Sequence, residues 1–221
     1  ARSYNLCGFC DASMAAYAAV IYLVVESEVD RKVMFVASKT RVAPLKAQTI
    51  PRLELLSALL LSRLISSVRG SLGITLSLTS EKCYTDSQVA LFWIQGTKEW
   101  KPFVKNRVTE IRQLTPIEQW SHCPGSQNPA DLPSRGLSPI ELAVSQFWRQ
   151  GPEWLREGME PSKNEEQQMP PECTSELKLA QEHSLVTTES SVGIKTIIDI
   201  TRFSTFSKLI KVTATVIRAV N

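Results

Sequence analysis

Tyr4-Asn5-Leu6-Cys7-Gly8-Phe9-Cys10-Asp11-Ala12-Ser13 opens the chain as a predicted strand whose apolar run ends on a carboxylate. By the strand period of two, Asp11 shares a face with Cys7 and Phe9 that is otherwise apolar. A buried anion without compensation costs several kcal/mol or protonates, so the placement asks for a partner. Glu54 repeats the anomaly. It lies in the predicted helix Pro51 to Arg69, where its same-face neighbours at i+4, i+7 and i+11 are Ala58, Leu61 and Ile65. Asp86 closes a short predicted strand and Asp131 follows Asn128 and Pro129. Carboxylates drawn from separate elements in this way most often share divalent cations.

Working outward, Tyr4 to Ser13 and Ala15 to Glu26 read as strands joined by a tight turn, and Arg31 to Ser38 as a third, an antiparallel meander. A loop with Pro44 and Pro51 leads into the helix, where Leu53, Leu56, Leu60, Leu64 and Val68 form the expected core stripe and Gly70 the expected stop. Lys82 to Asp86 is a strand, and Ser87 to Gln95 a short helix stopped by Gly96. Pro102 opens a further helix, with Val104, Val108 and Ile111 on one face, and Ile117 to Cys123 is the last strand. A short last helix is expected near Asp131. The order predicts an α/β fold: a mixed five-stranded sheet flanked by helices.

Charge divides the 221 residues into three. Residues 1–155 carry 17 Lys and Arg against 13 Asp and Glu; 156–190 carry three against eight; 191–221 carry five against one. The first segment reads as the folded domain, and its modest positive excess is compatible with a polyanionic partner. Residues 156–190, rich in Glu, Gln, Ser and Pro, read as a flexible polar linker. Within 191–221, Phe203, Phe206, Ile210, Thr213, Ile217 and Val220 recur at helical spacing among Arg202, Lys208, Lys211 and Arg218. This basic amphipathic segment is expected to pack on a downstream domain rather than on a membrane.

The five cysteines are odd in number and form no disulfide framework, which fits a reducing, intracellular compartment. Cys7 and Cys10 have the spacing of a metal or redox pair, but on a strand they face opposite ways. No signal peptide is apparent and no apolar run reaches the ~18 residues that span a bilayer, so no membrane partner is expected. The missing initiator Met suggests a segment of something longer. With only His122 and His183, a histidine-rich metal site is disfavoured, whereas Asp and Glu suit Mg²⁺. Two such ions about 3.5–4 Å apart can activate water and stabilise a leaving oxygen in an in-line displacement at phosphorus.

Several segments resemble the ribonuclease H domain of BEL/Pao-type LTR retrotransposon polyproteins. They are Phe9-Cys10-Asp11-Ala12-Ser13, Ser38 to Lys46, Thr49-Ile50-Pro51-Arg52-Leu53-Glu54-Leu55, Thr85-Asp86-Ser87, Phe103 to Val108, Asn128-Pro129-Ala130-Asp131-Leu132 and Gly151 to Leu155. The resemblance covers nearly all of 1–155 in collinear order. It implies a ribonuclease H-like fold, Mg²⁺ as cofactor (two ions, with Mn²⁺ as a substitute), and hydrolysis of the RNA strand of an RNA–DNA hybrid during reverse transcription. Asp11, Glu54, Asp86 and Asp131 would be the catalytic metal ligands. Reverse transcriptase and integrase regions of the same polyprotein would be partners, in a cytoplasmic particle with access to the nucleus.

The hybrid's 2′-hydroxyls lie in a wide minor groove, so recognition would rest on shape and phosphate contacts. Arg41, Lys46, Arg52, Lys101, Lys105, Asn106 and Arg107 are the candidates, with Trp100 either near the hybrid or filling a gap between helices. Trp93, Trp120 and Trp148 read as packing. The chain departs from the pattern of related domains in three places, one of them Ala18-Ala19, which stands where a glycine is common after Tyr17 and is expected to be tolerated. The loop Pro124 to Gln127 has no histidine, and Pro133 is expected to loosen the helix that carries Asp131. The competing class is a decayed or domesticated copy that binds nucleic acid or a protein without cutting. An aspartic protease, suggested by Asp11-Ala12-Ser13 and Asp86-Ser87-Gln88, lacks the glycine that should follow each pair.

Overall fold

The computed structural model describes residues 2–159 and 169–178. Strands β1 (Ser3–Ala12), β2 (Ala16–Glu26) and β3 (Arg31–Val42) form the meander, followed by α1 (Ile50–Leu72), β4 (Ser80–Thr85), α2 (Gln88–Gln95), α3 (Pro102–Leu114) and β5 (Trp120–His122). Four short helices follow: α4 (Asp131–Arg135), α5 (Pro139–Val144), α6 (Gln146–Gln150) and α7 (Glu153–Glu157). The sheet order is β3-β2-β1-β4-β5. β1 pairs antiparallel with β2 and parallel with β4, and β4 runs parallel to β5. This is the mixed five-stranded sheet that the element order predicted.

The pleat sorts the central strands into two apolar layers. Leu6, Cys10, Ala19, Ile21 and Leu23 pack with α1, α2 and α3 on one face. Cys7, Phe9, Val20, Tyr22 and Val24 pack with Tyr84, Ala130, Trp148 and Leu155 on the other. Cys7 and Cys10 thus lie in different layers, and all five cysteines are buried free thiols. Trp93, Trp120 and Trp148 are buried as expected.

α1 is the scaffold for one end of the sheet. Its fully buried positions include Ala58, Leu61 and Ile65, the stripe that begins at Glu54. Of the expected stripe, Leu53 and Leu60 are buried, whereas Leu56, Leu64 and Val68 are only partly buried, so the buried face is wider and turned towards the Glu54 side. α1 can come this close because β1 has a glycine beneath it. A Cβ on Gly8 would stand 2.5 Å from Leu61 Cδ1. By length and mean hydropathy α1 could cross a bilayer, but half of its apolar window is buried inside the protein, as in a core helix.

Several boundaries differ from expectation. Gly70 lies inside α1, which runs on to Leu72 and ends at Gly73, whose N–H donates to Arg69 O at 2.8 Å. Leu72 and Leu76 pack on the core beyond Gly70, and that contact outweighs the ~1 kcal/mol propensity deficit of one glycine. Ile117–Gln119 is a 3-10 turn, so β5 is shorter than predicted. Pro133 falls in the first turn of α4, where no helical N–H partner is lost, so it does not loosen that helix.

The segment expected as a flexible linker contains structure. α7 extends to Glu157, and Pro171–Glu176 forms a 3-10 turn with Cys173 fully buried. Leu177 makes a β-bridge with Trp100. The remainder of 156–190, and the basic segment 191–221, lie outside the described residues.

Candidate active site

The parallel pairing of β1 with β4 sets Cys10 opposite Thr85. Asp11 and Asp86 are the next residue of each chain, so two carboxylates meet where adjacent strands end. Asp11 is buried on β1 and accepts a hydrogen bond from Ser134 Oγ of α4. Burial pushes its carboxyl up, Ser134 offsets part of that, and the charge of Asp131 adds to it. Asp86 is pushed up to about 7, by burial first and then by the charges of Asp11 and Glu54. Its Oδ1 is buried with no hydrogen-bond partner.

Glu54 approaches from the start of the second turn of α1 and accepts a hydrogen bond from Ser87 Oγ. That hydroxyl also caps α2 by accepting from Ala90 N at 3.0 Å. Burial raises the Glu54 carboxyl, Ser87 lowers it, and the charges of Asp11 and Glu172 raise it again. The three acids therefore feel one another through a weakly screened region, with serine hydroxyls donating to Asp11 and Glu54. Burial and like charge both disfavour the ionised form.

Asp131 is set apart. It stands at the first position of α4, half-buried, with Arg135 Nε 2.5 Å from its Oδ1. Its charge still reaches Asp11. Among the described residues, no three of the carboxylates, histidines and cysteines stand close enough to enclose a cation together. The donor set nevertheless suits a hard cation: oxygens only, mutually repelling, one of them orphaned.

The surrounding loops hold this geometry. Asn128 Nδ2 donates to Cys10 O at 2.9 Å, and Asn128 Oδ1 accepts from Ala130 N at 3.1 Å, tying the approach to α4 to the end of β1. His122 Nε2 lies 3.2 Å from Asp86 O, a backbone contact that holds the end of β4 to β5. A Cβ at Gly125 would stand 3.0 Å from Asp86 Oδ2, so a side chain there would press the carboxylate out of its place by a few tenths of an ångström.

Among the basic candidates, Arg52, Lys101 and Arg107 gather between α1 and α3. The Arg52 and Arg107 guanidiniums lie over the Phe103 ring, 4.5 and 3.6 Å from its centroid. Arg52 Nε is 2.6 Å from Glu176 Oε1. Arg107 Nη1 donates to Phe103 O at 2.8 Å, while its Nε is buried without a partner. Burial, then the charges of Arg52 and Arg63, pull the Arg107 guanidinium below its usual range. Lys105 and Asn106 are exposed on α3; Arg41 at the end of β3 and Lys46 in the loop after it are exposed too. Trp100 is buried edge-on to Phe92 and Trp93, so it fills the gap between helices.

Sequence reading missed Ser134, Gly125 and Glu176 as parts of this region. Ser134 carried a usable signal, one helical turn after Asp131. Glu176 carried none, because its partner is 124 residues away.

Residues 1–87 match the family described as the Pao retrotransposon-like RNaseH-like domain. No curated protein matches the chain in sequence. Similar solved structures include the N-terminal RNase H domain of Rv2228c from Mycobacterium tuberculosis, solved as a fusion with maltose binding protein (TM-score 0.37, 14% identity, covering 57% of this chain and 86% of that one). Others are RNase H1 from the halophilic archaeon Halobacterium salinarum NRC-1 (0.37, 14%, 58% and 90%) and LC11-RNase H1 in complex with an RNA/DNA hybrid (0.37, 15%, 58% and 91%). The described part of the chain thus has an α/β fold with a mixed five-stranded sheet and flanking helices, and residues 1–87, about two-fifths of the chain, are similar to the Pao retrotransposon-like RNaseH-like domain.

Proposed function

We propose that the domain is a Mg²⁺-dependent endonuclease that hydrolyses the RNA strand of RNA–DNA hybrids during retrotransposon reverse transcription. The observation that carries this reading is the cluster of buried Asp11 with half-buried Glu54 and Asp86: mutually repelling, with Asp86 Oδ1 unpartnered. These three would hold the metal, with Asp131 joining once released from Arg135. The bound metal would supply an activated water and charge stabilisation at phosphorus.

The chain's own residues do the preparatory work. Ser87 and Ser134 keep two carboxylates oriented by donating to them, and Asn128 fixes the approach to α4. Arg52, Lys101, Lys105, Asn106 and Arg107 would meet the phosphate backbone. In this reading the domain would stand beside reverse transcriptase and integrase regions of one polyprotein, in an intracellular, cytoplasmic particle.

Incubation of the purified chain with a labelled RNA–DNA hybrid and Mg²⁺ tests the reading. Cleavage confined to the RNA strand and lost in Asp86→Asn is expected; undiminished cleavage by that variant, or none by the wild type, removes the claim. A second reading, a copy that binds hybrid without cutting, is favoured by the Asp131–Arg135 pair and predicts binding with no cleavage.

A further inference from the structure

The cations between α1 and α3 already have an occupant. Residues 171–178 cross this face as a short strap carrying Glu172 and Glu176. Glu176 Oε1 takes the Arg52 Nε at 2.6 Å, and the Glu176 carbonyl accepts from Lys101 N at 2.8 Å. Lys101 Nζ donates to Ser175 O at 2.8 Å. Glu172 lies near enough for its charge to act on Glu54. Carboxylate and carbonyl oxygens thus sit on two groups that a phosphate backbone would use, and they bring negative charge towards the carboxylate centre.

The strap's hold is incomplete. Glu176 Oε2 is buried without a hydrogen-bond partner, although the residue is 6% exposed. A buried carboxylate with an unsatisfied oxygen gives back much of what its ion pair contributes. The apolar anchors are small: Cys173 within the core cluster and a partly buried Leu177 against Trp100. Such a segment suits displacement by a ligand that offers the same arginine a better anion.

We propose that residues 171–178 are an acidic strap that competes with the phosphate backbone of the hybrid for Arg52 and Lys101, so that strap docking and substrate binding exclude one another. The inference rests on the reading of this face as nucleic-acid-binding. Phosphates gain additionally by releasing condensed counterions, a term the strap lacks, so low salt favours displacement.

Cys173 reports the exchange directly, because it is fully buried while the strap is docked. In the full chain, alkylation of Cys173 by iodoacetamide, read by peptide mass spectrometry, should accelerate several-fold when RNA–DNA hybrid is added in EDTA. Slower or unchanged modification overturns the proposal, since protection would make the strap part of the binding platform. Separately, Glu176→Gln should tighten hybrid binding about three- to tenfold at low salt, because Arg52 no longer has to leave a carboxylate before it meets a phosphate. Unchanged or weaker binding by this variant counts against the strap.

Heparin and double-stranded DNA separate the two readings. If Glu176→Gln improves binding to all polyanions alike and neither protein cuts hybrid in Mg²⁺, the strap stands and the ribonuclease reading falls. If the wild type binds and cuts hybrid while Cys173 reacts no faster, the strap alone falls. If neither form binds any polyanion, both fall.

Discussion

The end of β1 and β4 and the α1–α3 face treat charge in opposite ways. On the α1–α3 side, ionic groups are largely partnered: Arg63 with Glu110 at 2.6 Å, Arg69 with Glu81 at 3.0 Å, Arg52 with Glu176 at 2.6 Å. At the strand ends, buried Asp11 and half-buried Glu54 and Asp86 stand near enough to repel one another, and their carboxyls are raised. Paired charges are explained by the fold that contains them. Buried like charges are not, and a region the fold leaves electrostatically unfinished is where a ligand is to be sought.

The contrast predicts opposite signs for neutralising substitutions. Asp86→Asn should lower hybrid cleavage at least ~100-fold in a single-turnover assay, as loss of a ligand group does. The same variant should be more stable than the wild type at pH 8 without metal, because a repelling buried charge is gone. A destabilised Asp86→Asn protein would break the comparison. Arg69→Met should destabilise by about 2–3 kcal/mol in urea unfolding, because it leaves the Glu81 carboxylate, 8% exposed, without its cation.

The pH dependence sharpens the same point. Asp86 titrates at about 7 in the folded chain, above its ordinary 3.8. An acid raised on folding contributes stability that is fully present below its unfolded pKa and lost as pH rises through the folded one. Metal-free protein should therefore lose about 1–2 kcal/mol between pH 4 and 8 from this centre, after allowance for solvent screening. Millimolar Mg²⁺ should restore it at pH 8 but not at pH 4, and Asp86→Asn should abolish both effects; thermal melts across pH read all three. The smallest effect belongs to the exposed pair: Arg63→Ala should cost under ~1 kcal/mol in the same melts, and a larger loss would mean that this face is less well screened than its exposure implies.

What could be read from residues alone was whatever repeats locally. The meander followed from β-branched periodicity, and the positions of Asp11 and Glu54 followed from the faces they share with apolar neighbours. The stripe on α1 was only partly legible because leucines occupy most of its circumference: Leu53 and Leu60 are buried as expected, but period alone could not centre the face on Leu61 over Gly8. Gly70 read as a stop because its local propensity was weighed without the packing of Leu72 and Leu76. The docked turn at 171–176 was hidden for a further reason. Its composition is that of a linker, and what holds it is one ion pair, a few hydrogen bonds and a small thiol, none of which leaves a periodic trace.

The one-step overhang of Asp11 and Asp86 past the last paired residues, Cys10 and Thr85, makes the centre behave as a vernier. Insertion or deletion of one residue in β4 would shift Asp86 along the strand by ~3.3 Å and turn it to the opposite face, while leaving every amino acid of the motif intact. Length changes between Ser80 and Asp86 should therefore be far less tolerated than length changes in the loop before α1, and a library of single-residue insertions would map the centre without altering one of its carboxylates.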